Sequence, residues 1–309
     1  MEPHATGTVE VNGITIAYET IGDPTAVPVL LIMGLGAQLI TWPDELCAEL
    51  VDRGTYVIRF DNRDAGRSTH LTGQPAPRPL RSVLRLQRPP YRIEDMADDA
   101  AGLLAALGID SAHVVGASMG GFIAQTVALR HPARVRSLTL IMTSTGSLLV
   151  GLPKGPVLLR GGRQQAARDR DGAIESSLAT SRAIGSPGYP FDEGYRRELA
   201  GRAYDRGYDF DGYLRQFAAI GAQSDRTRAL SRVRVPTVVL HGLSDPLVSQ
   251  SGGRAVAQAI PGSRFVGYPG MGHDLPRDLW PQFVDEMATV IRAGEERRAG
   301  ELEGASRPA

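Results

Sequence analysis

Short runs of apolar, largely branched residues recur along the chain, and between them the apolar positions switch to helical spacing. The runs are Val29-Leu-Leu-Ile32, Tyr56-Val-Ile-Arg-Phe60, Ala112-His-Val-Val-Gly116, Val135 to Met142, Thr237-Val-Val-Leu240 and Arg264-Phe-Val-Gly-Tyr268. A strand that is apolar on both sides must be covered on both faces, which predicts a mostly parallel sheet. Trp42 to Arg53, Ile93 to Leu107, Gly121 to Arg130, Gly252 to Ile260 and Trp280 to Ile291 have the spacing of the covering helices. One edge differs. Thr8-Val-Glu-Val-Asn12 and Ile14-Thr-Ile-Ala-Tyr-Glu19 alternate in polarity and meet at Asn12-Gly13, which predicts an antiparallel hairpin.

The rhythm stops between Thr143 and Arg232, which reads as a helical insertion between two sheet strands. The expected organisation is therefore a core over 8–142 and 233–293, a helical cap over 143–232, and a frayed, flexible tail over 294–309. Eight of the 18 aromatic residues fall between Tyr189 and Phe217. Phe191 with Tyr195, Tyr204 with Tyr208 and Tyr213 with Phe217 have helical i, i+4 spacing; packing of the cap core is the default reading, pocket lining the other. Arg81, Arg85 and Arg88 can share a helix face opposite Leu80, Val83 and Leu84, a solvated loop by default and a peripheral lipid contact as the alternative.

With 309 residues, 42% of them hydrophobic, the chain can bury a large core. Its 34 basic and 34 acidic residues cancel, so no global field points to nucleic acid. Cys47 is the single cysteine; no intramolecular disulfide can form, and a reducing, cytoplasmic setting is expected. No signal peptide or membrane-length apolar run is read, and nothing bears on oligomeric state.

Gly116-x-Ser118-x-Gly120 stands where a strand should turn into a helix. Glycines two residues either side of a serine permit a nucleophile elbow, a turn too tight for side chains. With 36 glycines in the chain the triplet alone is weak; the strand before it and the helix after it give it weight. A serine hydroxyl needs a base to take its proton and an acid to orient that base. Asp245 follows the strand at Thr237, and His273 lies in Gly270-Met-Gly-His-Asp-Leu-Pro276 after the strand at Arg264. Both fall beyond carboxyl ends of strands, the edge at which sites form in open α/β sheets.

The rival residues are less well placed. His113 starts the strand that ends at the serine, about 15 Å away by strand rise. His131 ends the following helix, His4 precedes the first strand, and His70 and His241 read as walls. The strand ending at Met142 runs into Thr-Ser-Thr-Gly without a carboxylate, and Asp274 should point away from its neighbour. Oxyanion donors are expected at the backbone N–H of Met119 and of Leu35, the latter between Gly34 and Gly36.

The segments "LLIMGLGAQLITWPDELCAELVDRG", "VIRFDNRDAGRST", "HVVGASMGG" and "PGMGHDLP" resemble the α/β-hydrolase fold. Within it they are similar to the esterase branch of the aclacinomycin methylesterase and the mycobacterial lipase G-type carboxylesterases. The resemblance implies a serine carboxylic-ester hydrolase, without metal or organic cofactor, in which Ser118 is nucleophile, Asp245 acid and His273 base. Leu35 and Met119 then form the oxyanion hole, supported by Gly34, Gly36, Gly116 and Gly120, and Asp61 to Ser68 is a structural loop. Many relatives begin the oxyanion loop with His-Gly where this chain has Met33-Gly34. The expected substrates are small to medium hydrophobic esters. The same triad can serve a thioesterase, phospholipase, natural-product methylesterase, carbon–carbon hydrolase or cofactor-free perhydrolase, and the fold can also act as a ligand receptor. Serine at the elbow argues against dehalogenase or epoxide-hydrolase chemistry, which uses aspartate there.

Overall fold

A computed structural model describes residues 5–83, 86–154, 157 and 166–305. Eight strands form one sheet: β1 Ala5–Val11, β2 Ile14–Ile21, β3 Val27–Ile32, β4 Thr55–Phe60, β5 Ala112–Ala117, β6 Val135–Ile141, β7 Thr237–Gly242 and β8 Arg264–Tyr268. Their order across the sheet is β1-β2-β4-β3-β5-β6-β7-β8. The pairs β1–β2 and β2–β4 are antiparallel and all others parallel. Asn12 and Gly13 have φ of 50° and 75°, so the β1–β2 turn has the two left-handed residues of a type I′ hairpin.

The parallel strands alternate between two apolar layers. Leu30, Ile32, Ile58 and Val114 face one, and Val29, Leu31, Val57 and Val115 the other. Helices α3 (Ile93–Ala106), α4 (Met119–Arg130) and α9 (Gln250–Ala259) cover the first face, and α1 (Asp44–Asp52) and α10 (Trp280–Ala305) the second. Each fully buried leucine or isoleucine in these layers contributes about 1.5–3 kcal/mol relative to exposure. Cys47 is buried in the α1 layer, where desolvation pushes its thiol up to about 12 and leaves it inert.

The remaining helices are the short α2 (Pro79–Val83), then α5 (Arg170–Ile184), α6 (Glu193–Gly207), α7 (Phe210–Ala222) and α8 (Thr227–Leu230). The last four lie between β6 and β7 in sequence, where a helical insertion is expected. They are bolted to the loops that leave the sheet strands. Gln38 Nε2 donates to the carbonyls of Ala203 (2.7 Å) and Gly207 (3.1 Å), and Arg206 reaches Asp61 at 2.7 Å. Arg215, 1% exposed, forks onto Asp64 at 2.9 and 2.8 Å. Two charges this deeply buried are tolerable only as a fully hydrogen-bonded pair.

Two expectations change. Phe191 does not begin a helical aromatic pair, because α6 starts at Glu193 with Asp192 capping the Tyr195 N–H at 2.9 Å. Phe191 instead packs against the guanidinium groups of Arg182 and Arg196, at 5.3 and 5.0 Å from its ring centre. The last helix, expected to end at Ile291, continues past Gly294 to Ala305. Gly294 packs against β6, where an added Cβ would stand 2.9 Å from the Arg136 carbonyl oxygen, and Glu295 reaches His113 and Arg136. Of the arginine face near α2, Leu84 and Arg85 lie outside the described residues, while Arg81 and Arg88 are exposed. No helix among the described residues is long and apolar enough to cross a membrane.

The buried His113 has an acid-stability consequence. Desolvation is the largest influence on it and, against the pull of Glu295, holds its pKa down at about 4. Between pH 6.5 and 4 the unfolded chain therefore takes up a proton that the folded chain refuses, so stability falls on acidification through that window. The loss is on the order of 2–3 kcal/mol by pH 4. Denaturant titrations across pH 4 to 7 should show this slope in the wild type, and a shallower one in His113→Gln.

Candidate active site

Strand β5 ends at Ala117 and α4 begins at Met119, leaving Ser118 alone to make the turn. Its φ of 55° and ψ of −116° place a non-glycine residue in a sparsely populated region, and such strain persists only where the surroundings enforce it. Here the enforcement is steric. A Cβ on Gly116 would lie 2.2 Å from the Gly120 carbonyl oxygen, and one on Gly120 would lie 2.0 Å from that of Ile32. The two glycines thus let β5, β3 and α4 approach closely, with Ser118 projecting from the corner.

His273 Nε2 lies 2.9 Å from Ser118 Oγ, and His273 Nδ1 lies 2.7 Å from Asp245 Oδ2. The other carboxylate oxygen of Asp245 accepts from the backbone N–H of Leu247 (2.8 Å) and Val248 (2.9 Å). With Oδ1 so occupied, Oδ2 is directed at the imidazole, which must carry its proton on Nδ1 and present Nε2 as acceptor to the serine. The loop bearing His273 is itself held, since the His273 N–H donates to the Ile184 carbonyl of α5 at 2.7 Å. Asp245 is 2% exposed, so the orienting carboxylate is shielded from competing water.

Met119 is the first residue of α4, and the first N–H groups of a helix have no acceptor within it. Across from it, a Cβ on Gly34 would stand 3.1 Å from Ser118 Cβ, so the 33–36 backbone passes directly over the serine. Leu35 follows, and Gly36 has a φ of 66°. Beside Leu35 and Gly36 opens a cavity of about 290 Å³. Its wall includes Tyr204, Tyr208, Phe210 and Tyr213 together with Ser176, Ser177, Thr180 and Ser181. Pocket lining therefore holds for Tyr204, Tyr208 and Tyr213, with Tyr204 and Tyr208 stacked at 5.4 Å; Phe217 lies behind Tyr213 at 6.4 Å.

The sequence profile of the alpha/beta hydrolase fold matches residues 27–276. The chain belongs to the α/β-hydrolase family. Rhodomycin D methylesterase DnrP from Streptomyces peucetius is 31% identical to it over 283 residues, covering 85% of this chain and 90% of that protein. A pimeloyl-[acyl-carrier protein] methyl ester esterase from Chromobacterium violaceum is 31% identical over 178 residues, 57% of this chain and 68% of its own. Among solved structures, the enol-lactonase from Burkholderia xenovorans LB400 superposes with a TM-score of 0.70 at 23% identity, over 93% of this chain and all (100%) of that one.

The other histidines of this α/β hydrolase have separate duties. His113 pairs with Ser137 and Glu295, and His131 with Asp98. His70 bridges Asp209 and the Gly66 carbonyl, while His4 lies outside the described residues. His241, fully buried, donates from Nε2 to the Val248 carbonyl at 2.8 Å and sits 3.7 Å from Asp245. Desolvation lowers its pKa and keeps it neutral beside that carboxylate. Asp274 points away from the imidazole as expected, to Ser186 and Arg196.

Asp64, His70 and Asp209 of the hydrolase come close enough for their ligand atoms to share one cation. Arg215 already supplies that charge, reaching Asp64 at 2.8 Å and Asp209 at 3.0 Å. The loop from Asp61 to Ser68 thus has the structural role expected of it, and extends it. Asp61 accepts from Leu39 N–H at 2.7 Å, and Asn62 Nδ2 donates to the Met33 carbonyl at 3.0 Å, so this loop also shapes the segment over Ser118. The sequence reading did not identify Asn62, Gln38, Arg215 or Gln216 as contacts of the site loops. A polar residue on a helix or loop reads as solvated until its partners are known.

Proposed function

We propose that this chain is a carboxylic-ester hydrolase working through an acyl-enzyme, with Ser118 as nucleophile, His273 as general base and Asp245 as the acid that orients it. The observation that carries the reading is the unbroken hydrogen-bond chain from Asp245 Oδ2 to His273 to Ser118 Oγ, at 2.7 and 2.9 Å, ending on a strained elbow. Ser118 Oγ attacks the ester carbonyl carbon as its proton passes to His273 Nε2. The backbone N–H groups of Met119 and Leu35 receive the negative charge that develops on the carbonyl oxygen. His273 returns the proton to the departing alkoxide, and a water molecule activated in the same way releases the acid and regenerates the serine. None of these steps requires a metal or an organic cofactor. The matched relatives that are methylesterases support carboxylic-ester hydrolysis, and among the alternatives open to the same triad they favour a methylesterase.

Residues 143–232 act in this reading as the cap, and the cavity under it holds the larger part of the ester. Aromatic rings and hydroxyls in its wall, with the carboxylates of Asp64 and Asp209 already paired to Arg215, suit a neutral, medium-sized hydrophobic group better than a charged one. A single buried thiol and a balanced charge suit a cytoplasmic enzyme. The test is a p-nitrophenyl ester series from acetate to palmitate, with intact-mass measurement after a fluorophosphonate probe. Saturable turnover peaking at a medium chain, with one probe adduct, is expected; folded protein with neither turnover nor adduct would overturn the proposal.

A further inference from the structure

We propose that Gln216, on α7, is a positioning residue that sets the oxyanion loop from the helical insertion. The inference rests on the reading of Leu35 N–H as an oxyanion donor. Gln216 is fully buried, with both ends of its amide engaged. Its Oε1 accepts from Gly36 N–H at 2.7 Å, and its Nε2 donates to the Arg63 carbonyl at 2.7 Å. The partners fix which way the amide faces, since a backbone N–H only donates and a backbone carbonyl only accepts.

Gly36 is where such a grip is needed. It has no side chain to restrict its torsions, and it adopts a φ of 66°. The peptide joining Leu35 to Gly36 is the one Gln216 holds, and its rotation would turn the adjoining Gly34–Leu35 peptide that presents the Leu35 N–H. The loop is also held at its two ends, by Asn62 on the Met33 carbonyl and by Gln38 on the Ala203 and Gly207 carbonyls. Gln216 supplies the hold at the centre, next to the residue whose N–H faces the reacting oxygen. It comes from a helix 180 residues further along the chain, so the donor is set only when α7 is seated on the core. Donors fixed in advance need no reorganisation as charge develops, which is where their catalytic effect lies.

Gln216→Met, close in volume but with only a weakly accepting thioether in place of the amide oxygen, should lower kcat roughly 10- to 100-fold while KM stays within about threefold, the pattern of a misplaced transition-state donor. A trifluoromethyl ketone gives an independent reading. Ser118 Oγ adds to its carbonyl carbon, the hydroxyl proton passes to His273, and the resulting oxyanion occupies the same position as in the ester reaction. Its affinity for Gln216→Met should fall by the same factor as kcat/KM, with the melting temperature changed by only a few degrees. A folded Gln216→Met with wild-type kcat and ketone affinity overturns the proposal, as does a rise in KM alone. If that variant does not fold, Gln216→Asn, whose amide is one methylene too short to hold Gly36 N–H and the Arg63 carbonyl together, decides: a lower ratio of ketone to substrate affinity than wild type supports the proposal, and an unchanged ratio overturns it. A wild-type enzyme that binds the ketone no more tightly than substrate would instead remove the oxyanion reading underneath.

Discussion

Ser118→Ala should lower kcat by about four to six orders of magnitude while leaving the fold and substrate affinity nearly intact. The methyl group of alanine fits wherever Cβ of serine fits, so packing at the elbow is unchanged. The strained backbone also remains, because Gly116 and Gly120 enforce it irrespective of the side chain. What disappears is Ser118 Oγ, 2.9 Å from His273 Nε2, the oxygen proposed to carry the acyl group. Burst kinetics with a p-nitrophenyl ester and intact mass after fluorophosphonate treatment check this directly. Residual turnover by water activated at His273 is compatible with the proposal; wild-type rates, or a probe adduct retained in the variant, would exclude Ser118 as nucleophile.

Asp245→Asn should reduce kcat by about 10³–10⁴-fold through a subtler route. Oδ1 of Asp245 accepts two backbone N–H groups, from Leu247 and Val248. An asparagine will keep its carbonyl oxygen toward those donors, which leaves its NH₂ facing His273 Nδ1. That NH₂ can only donate, so the imidazole must move its proton to Nε2, and Nε2 can then no longer accept the serine proton. The loss should therefore fall on kcat, with KM little changed, and should ease at high pH as hydroxide substitutes for the base. A variant with unaltered kcat would show that the carboxylate does not set the tautomer.

The sheet and the three convergent residues were legible because each is governed by local chemistry. Continuous apolar runs specify buried strands, and the glycine–serine–glycine triplet, weak alone, takes its meaning from the strand before it and the helix after it. Asp245 and His273 could be chosen because β7 and β8 deliver their following loops to one sheet edge. The insertion was less legible. Helical aromatic spacing is the same for a packed core and a pocket wall, and only the placement of α6 and α7 against Leu35 and Gly36 decides between them. The Phe191 reading was avoidable, since Asp192-Glu193 is a helix-start signal that sets the helix after the phenylalanine. The end of α10 was not: Gly294 reads as a break, yet it is a glycine because β6 lies too close for a side chain. Gln216 is beyond sequence reasoning altogether, being one amide on a helix whose partners lie over 150 positions away.

The bonds between the insertion and the sheet loops also limit how such a protein can be recombined. Gln38, Asp61, Asp64 and the backbone of His273 are each held by a residue of α5, α6 or α7. Exchanging residues 143–232 for the corresponding segment of a relative would therefore replace half of every one of these pairings. A workable chimera has to carry the loops after β3, β4 and β8 together with the segment, so new specificities are more accessible through single substitutions in the cavity wall than through transplanting the whole roof.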